Sequence, residues 1–230
     1  MRKTLALCCG LSLACTISLA GWSEYAPGIY AYASKRFGSE APKRLENLRQ
    51  SQLRLLQQVN TVNAHKKNAD AVQELKLLQQ VNNFYNHVPY LSDQQHWGQA
   101  DYWATPIEFY AFWGGDCEDY AIAKYMSLKE LGVPIERLRI TYVRAVKIGE
   151  THMVLAYYPQ ADADPWILDN LVDEVQAGSS RTDLIPVYSF NDEDLWLASG
   201  NKRKDGASSV RLWRELITKM EQEQRGQFHY

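Results

Sequence analysis

The sequence predicts an α+β fold in which helices come first and an antiparallel sheet follows. Three observations carry this expectation. Between residues 44 and 131 apolar side chains recur at helical spacing. From Arg139 onward the pattern changes to alternation among β-branched and aromatic residues. Between the two halves Gly132 and Pro134 stop the last long helix, because glycine accepts the left-handed turn there and proline cannot continue the ladder.

The first twenty residues read differently from the rest. Arg2 and Lys3 precede an uncharged, apolar run from Leu5 to Leu19, and Ser18 and Ala20 are small residues at the positions a signal peptidase reads. Residues 1–20 are therefore expected to be a signal peptide, and residues 21–230 a single domain with a helical N-terminal extension. An uncleaved anchor or a buried strand is the alternative, although the run is short for a membrane span. Lipoprotein processing at Cys15 is disfavoured because Ser12 stands where a bulky aliphatic residue is expected. The 25 Lys and Arg residues and 27 Asp and Glu residues are interspersed and give a net charge of -2. A nucleic-acid surface would need a clustered basic stripe.

Residues 22–39 show no clean period and read as a lead-in. From Arg44 to Ala64 Leu45, Leu48, Leu55, Val59 and Val62 approximate one helical face. Asp70 and Gln73 have the spacing of a capping box for a second helix, whose stripe is Val72, Leu75, Leu78 and Val81. The hexapeptide Leu-Leu-Gln-Gln-Val-Asn stands at 55–60 and again at 77–82, which suggests two similar helices or one long bent one. Residues 86–103 read as an aromatic-rich loop. Thr105, Pro106 and Glu108 then form a helix start, with the cap, first-turn proline and capping-box acid in order.

Gly114-Gly115 is expected to make a tight turn into a helix that begins at Cys117 and buries Ala121, Ile122, Tyr125 and Leu128. Strands are expected at 139–146, 151–158, 166–169 and 185–190, with Lys147 to Glu150 as a hairpin loop. Gly200 to Gly206 reads as a charged turn and Val210 to Gln224 as a terminal helix.

Cys8, Cys9 and Cys15 fall in the expected signal, which leaves Cys117 as the one thiol of the mature chain. A lone cysteine in an exported protein is either a small buried hydrophobe or a reactive group. Its position argues for reactivity. Unpaired N–H groups and the positive dipole end at a helix start favour thiolate and supply donors for a developing oxyanion. Downstream, His152 opens one strand and Asp169 closes another, so antiparallel pairing can bring a base and its orienting carboxylate together. Taken singly, each has a bland reading: a surface or satisfied histidine, and an aspartate starting a turn. Asn82, Asn83 and Asn86 are all conceivable oxyanion donors, and Trp97, Trp103, Phe109 and Trp113 are either cleft walls or core. Tyr120 reads as a packing or hydrogen-bonding residue.

The stretch from Trp113 through Gly114, Gly115, Asp116, Cys117, Glu118 and Asp119 to Tyr120, with Thr151-His152-Met153 and Leu168-Asp169-Asn170, resembles the bacterial transglutaminase-like cysteine proteinases. The resemblance runs from about Leu75 to Val187. It implies a papain-like or transglutaminase-like core and a triad of Cys117, His152 and Asp169. It also implies a periplasmic, calcium-dependent endopeptidase that cuts a large surface adhesin near its N-terminus and so releases cells from a biofilm. The implied partner is the periplasmic domain of an inner-membrane cyclic di-GMP receptor, which sequesters the enzyme.

The calcium requirement meets an independent argument. Carboxylates at Asp116, Glu118 and Asp119 would raise the thiol's pKa, and a hard cation held by their oxygens would neutralise them. The resemblance implies that Asp116 and Glu118 are the calcium ligands, with Asp119 a weaker third that reads equally as a helix cap. Asp101 is a further conceivable oxygen donor. Two other readings stand beside the protease: an amidase or transglutaminase on the same core, and a non-catalytic periplasmic interaction protein.

Overall fold

The computed structural model describes residues 21, 24–65, 71–197, 200–204 and 210–228. The expected signal peptide and the capping residue Asp70 lie outside the described residues.

Seven helices and one seven-stranded sheet make up the described fold. The sheet is antiparallel throughout, so the α+β expectation holds. The segment read as a shapeless lead-in contains helix α1 (Ile29–Phe37), which buries Ile29, Tyr32 and Ala33. Its stripe is short and built partly of small and aromatic residues, which is why periodicity alone misses it. Helices α2 (Ala41–His65) and α3 (Ala71–Asn86) are the two helices of the repeated hexapeptide. The equivalent residues of the two copies, Gln58 and Gln80, are hydrogen-bonded at 3.3 Å. Leu45 and Leu48 of α2 and Leu78 and Val81 of α3 are fully buried, whereas Val72, expected in the buried stripe, is exposed.

The aromatic loop also holds a short helix, α4 (Asp93–His96), where the sequence predicts loop alone. Helix α5 (Pro106–Phe112) starts as expected: the Thr105 hydroxyl accepts from Glu108 N–H, and the Glu108 carboxylate accepts from Thr105 N–H at 2.9 Å. Helix α6 (Cys117–Glu130) is the central element, buried on every side from Asp119 to Leu128. It packs on the sheet on one side and on α3 and α5 on the other. Burying side chains such as Ile122, Tyr125 and Leu128 contributes on the order of 2 kcal/mol each. Gly132, with φ of 87°, ends the segment as the sequence predicts.

Strands β1 (Leu138–Ala145) and β2 (Glu150–Tyr157) form the expected hairpin, paired from Leu138 with Tyr157 to Ala145 with Glu150. Strands β3 (Trp166–Leu168) and β4 (Gln176–Ala177) extend the sheet beyond β2. On the other side β5 (Leu184–Phe190) pairs with β1 and is followed by β6 (Leu195–Leu197) and β7 (Gly200–Lys204). The charged turn expected at 200–206 is thus overturned for 200–204, which pair with β6 as an outer strand. Polar, lysine-rich sequence suits a sheet edge and hides its strand character from an apolar pattern.

Leu138, Ile140, Met153, Leu155 and Leu168 face the helices, while Val143, Val154, Ala156 and Ile167 cluster on the opposite face. Helix α7 (Arg211–Gln224) closes the fold, with Trp213 edge-on to Tyr125 at 5.6 Å and to Phe190 at 5.3 Å. Among the described residues no helix is long and apolar enough to cross a membrane.

Candidate active site

The site is assembled around the turn between α5 and α6. Trp113 caps α5 in a left-handed conformation, with φ of 72°. Gly114 and Gly115 follow because the turn is pressed against its surroundings. A Cβ on Gly114 would stand 2.4 Å from the Leu91 side chain, and one on Gly115 would stand 2.4 Å from Asp119 Oδ2 and 2.6 Å from the Phe109 ring. The Gly115 carbonyl accepts from Leu91 N–H at 2.9 Å, which ties the aromatic loop to the turn. Asp119, fully buried, completes the clamp: Oδ1 accepts from Ala104 N–H at 2.8 Å and Oδ2 from Asp116 N–H at 3.2 Å. Its cap-like reading is therefore the one the geometry displays.

Cys117 is the first residue of α6. The helix end favours the thiolate, but the surroundings oppose it. Burial pushes the thiol's pKa well above its ordinary value, and Glu118 and Asp116 push it further, while the backbone N–H of Met153 works the other way. The thiol donates a hydrogen bond to Glu118 Oε2 at 3.1 Å.

His152 and Asp169, 17 positions apart, come together because β2 and β3 pair with Leu155 opposite Leu168. His152 Nε2 donates to Asp169 Oδ1 at 2.7 Å, with both residues buried. That contact leaves Nδ1 to take a proton. Burial alone would raise the Asp169 pKa. Hydrogen bonds from His152, Leu171 N–H and Arg181 outweigh it and hold the carboxyl at about 2. Cys117, His152 and Met153 line one cavity of about 580 Å³, together with Trp103 and the stacked pair Tyr142 and Tyr188, whose rings lie 5.1 Å apart.

Of the aromatics weighed from sequence, Trp103 reaches this cavity. Phe109 is core, and Trp97 packs with His96 and Phe112 instead. Tyr142 and Tyr188 were missed, since each looks like an ordinary strand residue. Tyr120 hydrogen-bonds the Val88 carbonyl, which is the structural role expected of it. Asn82 and Asn86 donate to carbonyls of the segment after β3, at Asp173 and Asp169 respectively, each at 2.9 Å.

Around Cys117, carboxylates gather in two overlapping groups, Asp93 with Asp116 and Asp119, and Asp93 with Asp101 and Glu118; within each group one oxygen per residue lies within 4.8 Å of the others. Asp93 carried no motif signal in the sequence. Its backbone N–H donates to Asp116 Oδ2 at 3.2 Å, and it joins both groups only because the loop folds back on the turn.

A family model of the bacterial transglutaminase-like cysteine proteinases matches residues 53–204. The chain belongs to that family. It is a cysteine protease. Among solved structures it is similar to Legionella pneumophila LapG after EGTA treatment, at 34% identity and a TM-score of 0.68 over 88% of this chain and 98% of that one. A second structure of Legionella pneumophila LapG gives 35% identity and a TM-score of 0.67, covering 88% and 97% of the two chains. Calcium-bound Legionella pneumophila LapG gives 36% identity and a TM-score of 0.65, covering 84% and 97%. No curated protein matches this chain.

The acidic cluster of this family member fits a hard cation. Among the described residues, Oδ1 of Asp93 and Oδ1 of Asp116 are buried without a hydrogen-bond partner, an arrangement that costs free energy unless a positive charge meets them. Burial and the neighbouring carboxylates raise the pKa of Asp93 to about 6 and also raise those of Asp116, Glu118 and Asp119. Asp93, Asp116 and Glu118 have oxygens to offer. Asp101 stands in the second group, and Asp119 has both oxygens engaged by backbone N–H groups.

Proposed function

We propose that the chain is a calcium-dependent periplasmic cysteine endopeptidase that cuts the N-terminal region of a large surface adhesin and so releases cells from a biofilm. Cys117 is its nucleophile, His152 its base and Asp169 the carboxylate that orients the base. The observation that carries this reading is the buried 2.7 Å contact between His152 and Asp169, beside a cavity whose wall also holds Cys117 at a helix start.

His152 takes the thiol proton, and the thiolate attacks the scissile carbonyl. The imidazolium then protonates the leaving amine, and water hydrolyses the acyl-enzyme. The backbone N–H of Cys117, at the head of α6, is the donor offered to the developing oxyanion. Asp93, Asp116 and Glu118, with Asp101 alongside, would hold a calcium ion, whose positive charge would offset the carboxylates that otherwise oppose ionisation of the thiol. The resemblance further supports capture of the enzyme by the periplasmic domain of an inner-membrane cyclic di-GMP receptor. Export to the periplasm rests on the signal-like residues 1–20.

The test is incubation of the processed protein with an adhesin N-terminal fragment, with calcium, with a chelator, and after calcium is restored. Cleavage that stops and returns supports the reading. Cleavage by Cys117→Ala, or undiminished cleavage after rigorous calcium removal, refutes it.

A further inference from the structure

The two oxygens of the Asp169 carboxylate are served by different parts of the chain. Oδ1 accepts from His152 Nε2 at 2.7 Å and from Leu171 N–H at 3.0 Å. Oδ2 accepts from Arg181 Nη2 at 2.7 Å. Arg181 and Asp169 are 4% and 1% exposed, so water does not compete for either. The arginine comes from neither strand of the site. It follows the 3-10 turn Gly178–Ser180 in the connection between β4 and β5, where its N–H bonds the Gly178 carbonyl at 3.0 Å. Its guanidinium is held from behind by Asp183, with Nε to Oδ1 and Nη2 to Oδ2 both at 3.0 Å. Lys124, a second basic group near Asp169, donates to Asn86 Oδ1 at 2.7 Å instead.

We infer that Arg181 is a positioning residue of the catalytic machinery, and that its guanidinium, steadied by Asp183, fixes the plane of the Asp169 carboxylate against His152. The inference rests on the assignment of Asp169 to the triad. A carboxylate bonded through one oxygen only can swing about its Cβ–Cγ bond, and the imidazole it carries swings with it. A rigid donor on the second oxygen removes that freedom. The ordinary alternative is a buried ion pair that merely closes the β4–β5 connection.

The two readings separate in the full-length processed protein with calcium present. Arg181→Gln keeps nearly the same shape without the charge, and Arg181→Lys restores the charge without the fork. Cleavage of an adhesin N-terminal fragment gives kcat and KM, and the downfield proton NMR signal of the His152 Nε2–H reports the bond to Asp169. For Arg181→Gln we expect kcat to fall roughly 10- to 100-fold with KM within about twofold, and the downfield signal to move or broaden. Arg181→Lys recovers part of both. If Arg181→Gln fails to fold, Asp183→Asn carries the test, with a drop in kcat of roughly two- to fivefold and a displaced signal. Unchanged kcat together with an unchanged signal in the variant that folds overturns the inference. Asp169→Asn keeps the failures apart. Retained cleavage in Asp169→Asn sinks the triad, whereas loss there with none in Arg181→Gln sinks the role of Arg181 alone. Should the wild-type protein cleave nothing, the NMR signal still decides whether Arg181 holds the pair.

Discussion

Cys117 Sγ lies 3.1 Å from Glu118 Oε2, so the group that must ionise is hydrogen-bonded, as a thiol, to the carboxylate of its own neighbour. A helix start is often taken as sufficient to activate a cysteine. Here burial and two adjacent acids act in the opposite direction, and the effect of the helix dipole, typically below about 1 kcal/mol at a surface, is too small to prevail over them.

Removing the charge at position 118 should therefore ease ionisation in calcium-free protein. We expect Glu118→Gln to raise the rate of Cys117 alkylation by iodoacetamide at pH 7.5 by about tenfold, the equivalent of one pH unit in thiolate fraction. Calcium should then add little further. An alkylation rate equal to that of the wild type would show that Glu118 does not restrain the thiol.

Calcium should stabilise the fold more at high pH than at low pH. The raised pKa values of Asp93, Asp116, Glu118 and Asp119 mean that protons satisfy the cluster in acid, and that this contribution to stability is lost as pH rises through the folded values, about 6 for Asp93. Calcium replaces those protons. The increase in Tm on adding calcium should grow by about 4 °C or more between pH 5 and pH 8. Comparing increments cancels the titration of groups outside the cluster, such as Glu223. A constant increment across that range would contradict the cation site.

Asp169→Asn should leave the fold in place and lower kcat by roughly two to four powers of ten, as expected when an imidazole loses the acceptor that sets its tautomer. Thermal unfolding and single-turnover cleavage check the two halves separately. Activity within about threefold of wild type would exclude Asp169 from the mechanism.

Gly115→Ala should be destabilising. The added methyl would sit 2.4 Å from Asp119 Oδ2 and 2.6 Å from the Phe109 ring, both buried, and overpacking of that kind costs about 1–3 kcal/mol. The expected fall in Tm is roughly 2–10 °C. Because Asp119 carries the turn that presents Cys117, alkylation kinetics should change as well. A variant with wild-type Tm and wild-type thiol reactivity would mean that the turn is less tightly packed than its geometry indicates.

Much of this was legible before any coordinate was known. The helix-stopping Gly132, the Thr105 capping box, the two-glycine turn and the β1–β2 hairpin are local devices. Their energetics involve residues a few positions apart, so the order of residue types is enough to reveal them. Helix α1 and strand β7 escaped for the complementary reason. The stripe of α1 is short and β7 is polar, and they are secured by neighbours far along the chain, as where Tyr32 stacks on Phe228, or by a sheet edge.

Sequence alone determined the seat of Cys117 at the head of α6, the placing of His152 on one strand and Asp169 at the end of its neighbour, and the acidity of the turn that carries Cys117. Tertiary structure decided which residues surround those three: Asp93 brought to Asp116 across 23 positions, Tyr142 and Tyr188 stacked on the cavity wall, Asp119 engaged by backbone N–H groups, and Arg181 on the far oxygen of Asp169. The physical reason is that spacing along the chain encodes what a helix or strand does with its own neighbours. A charge cluster or a carboxylate's second donor depends on where loops return, and that is settled by packing of the whole core.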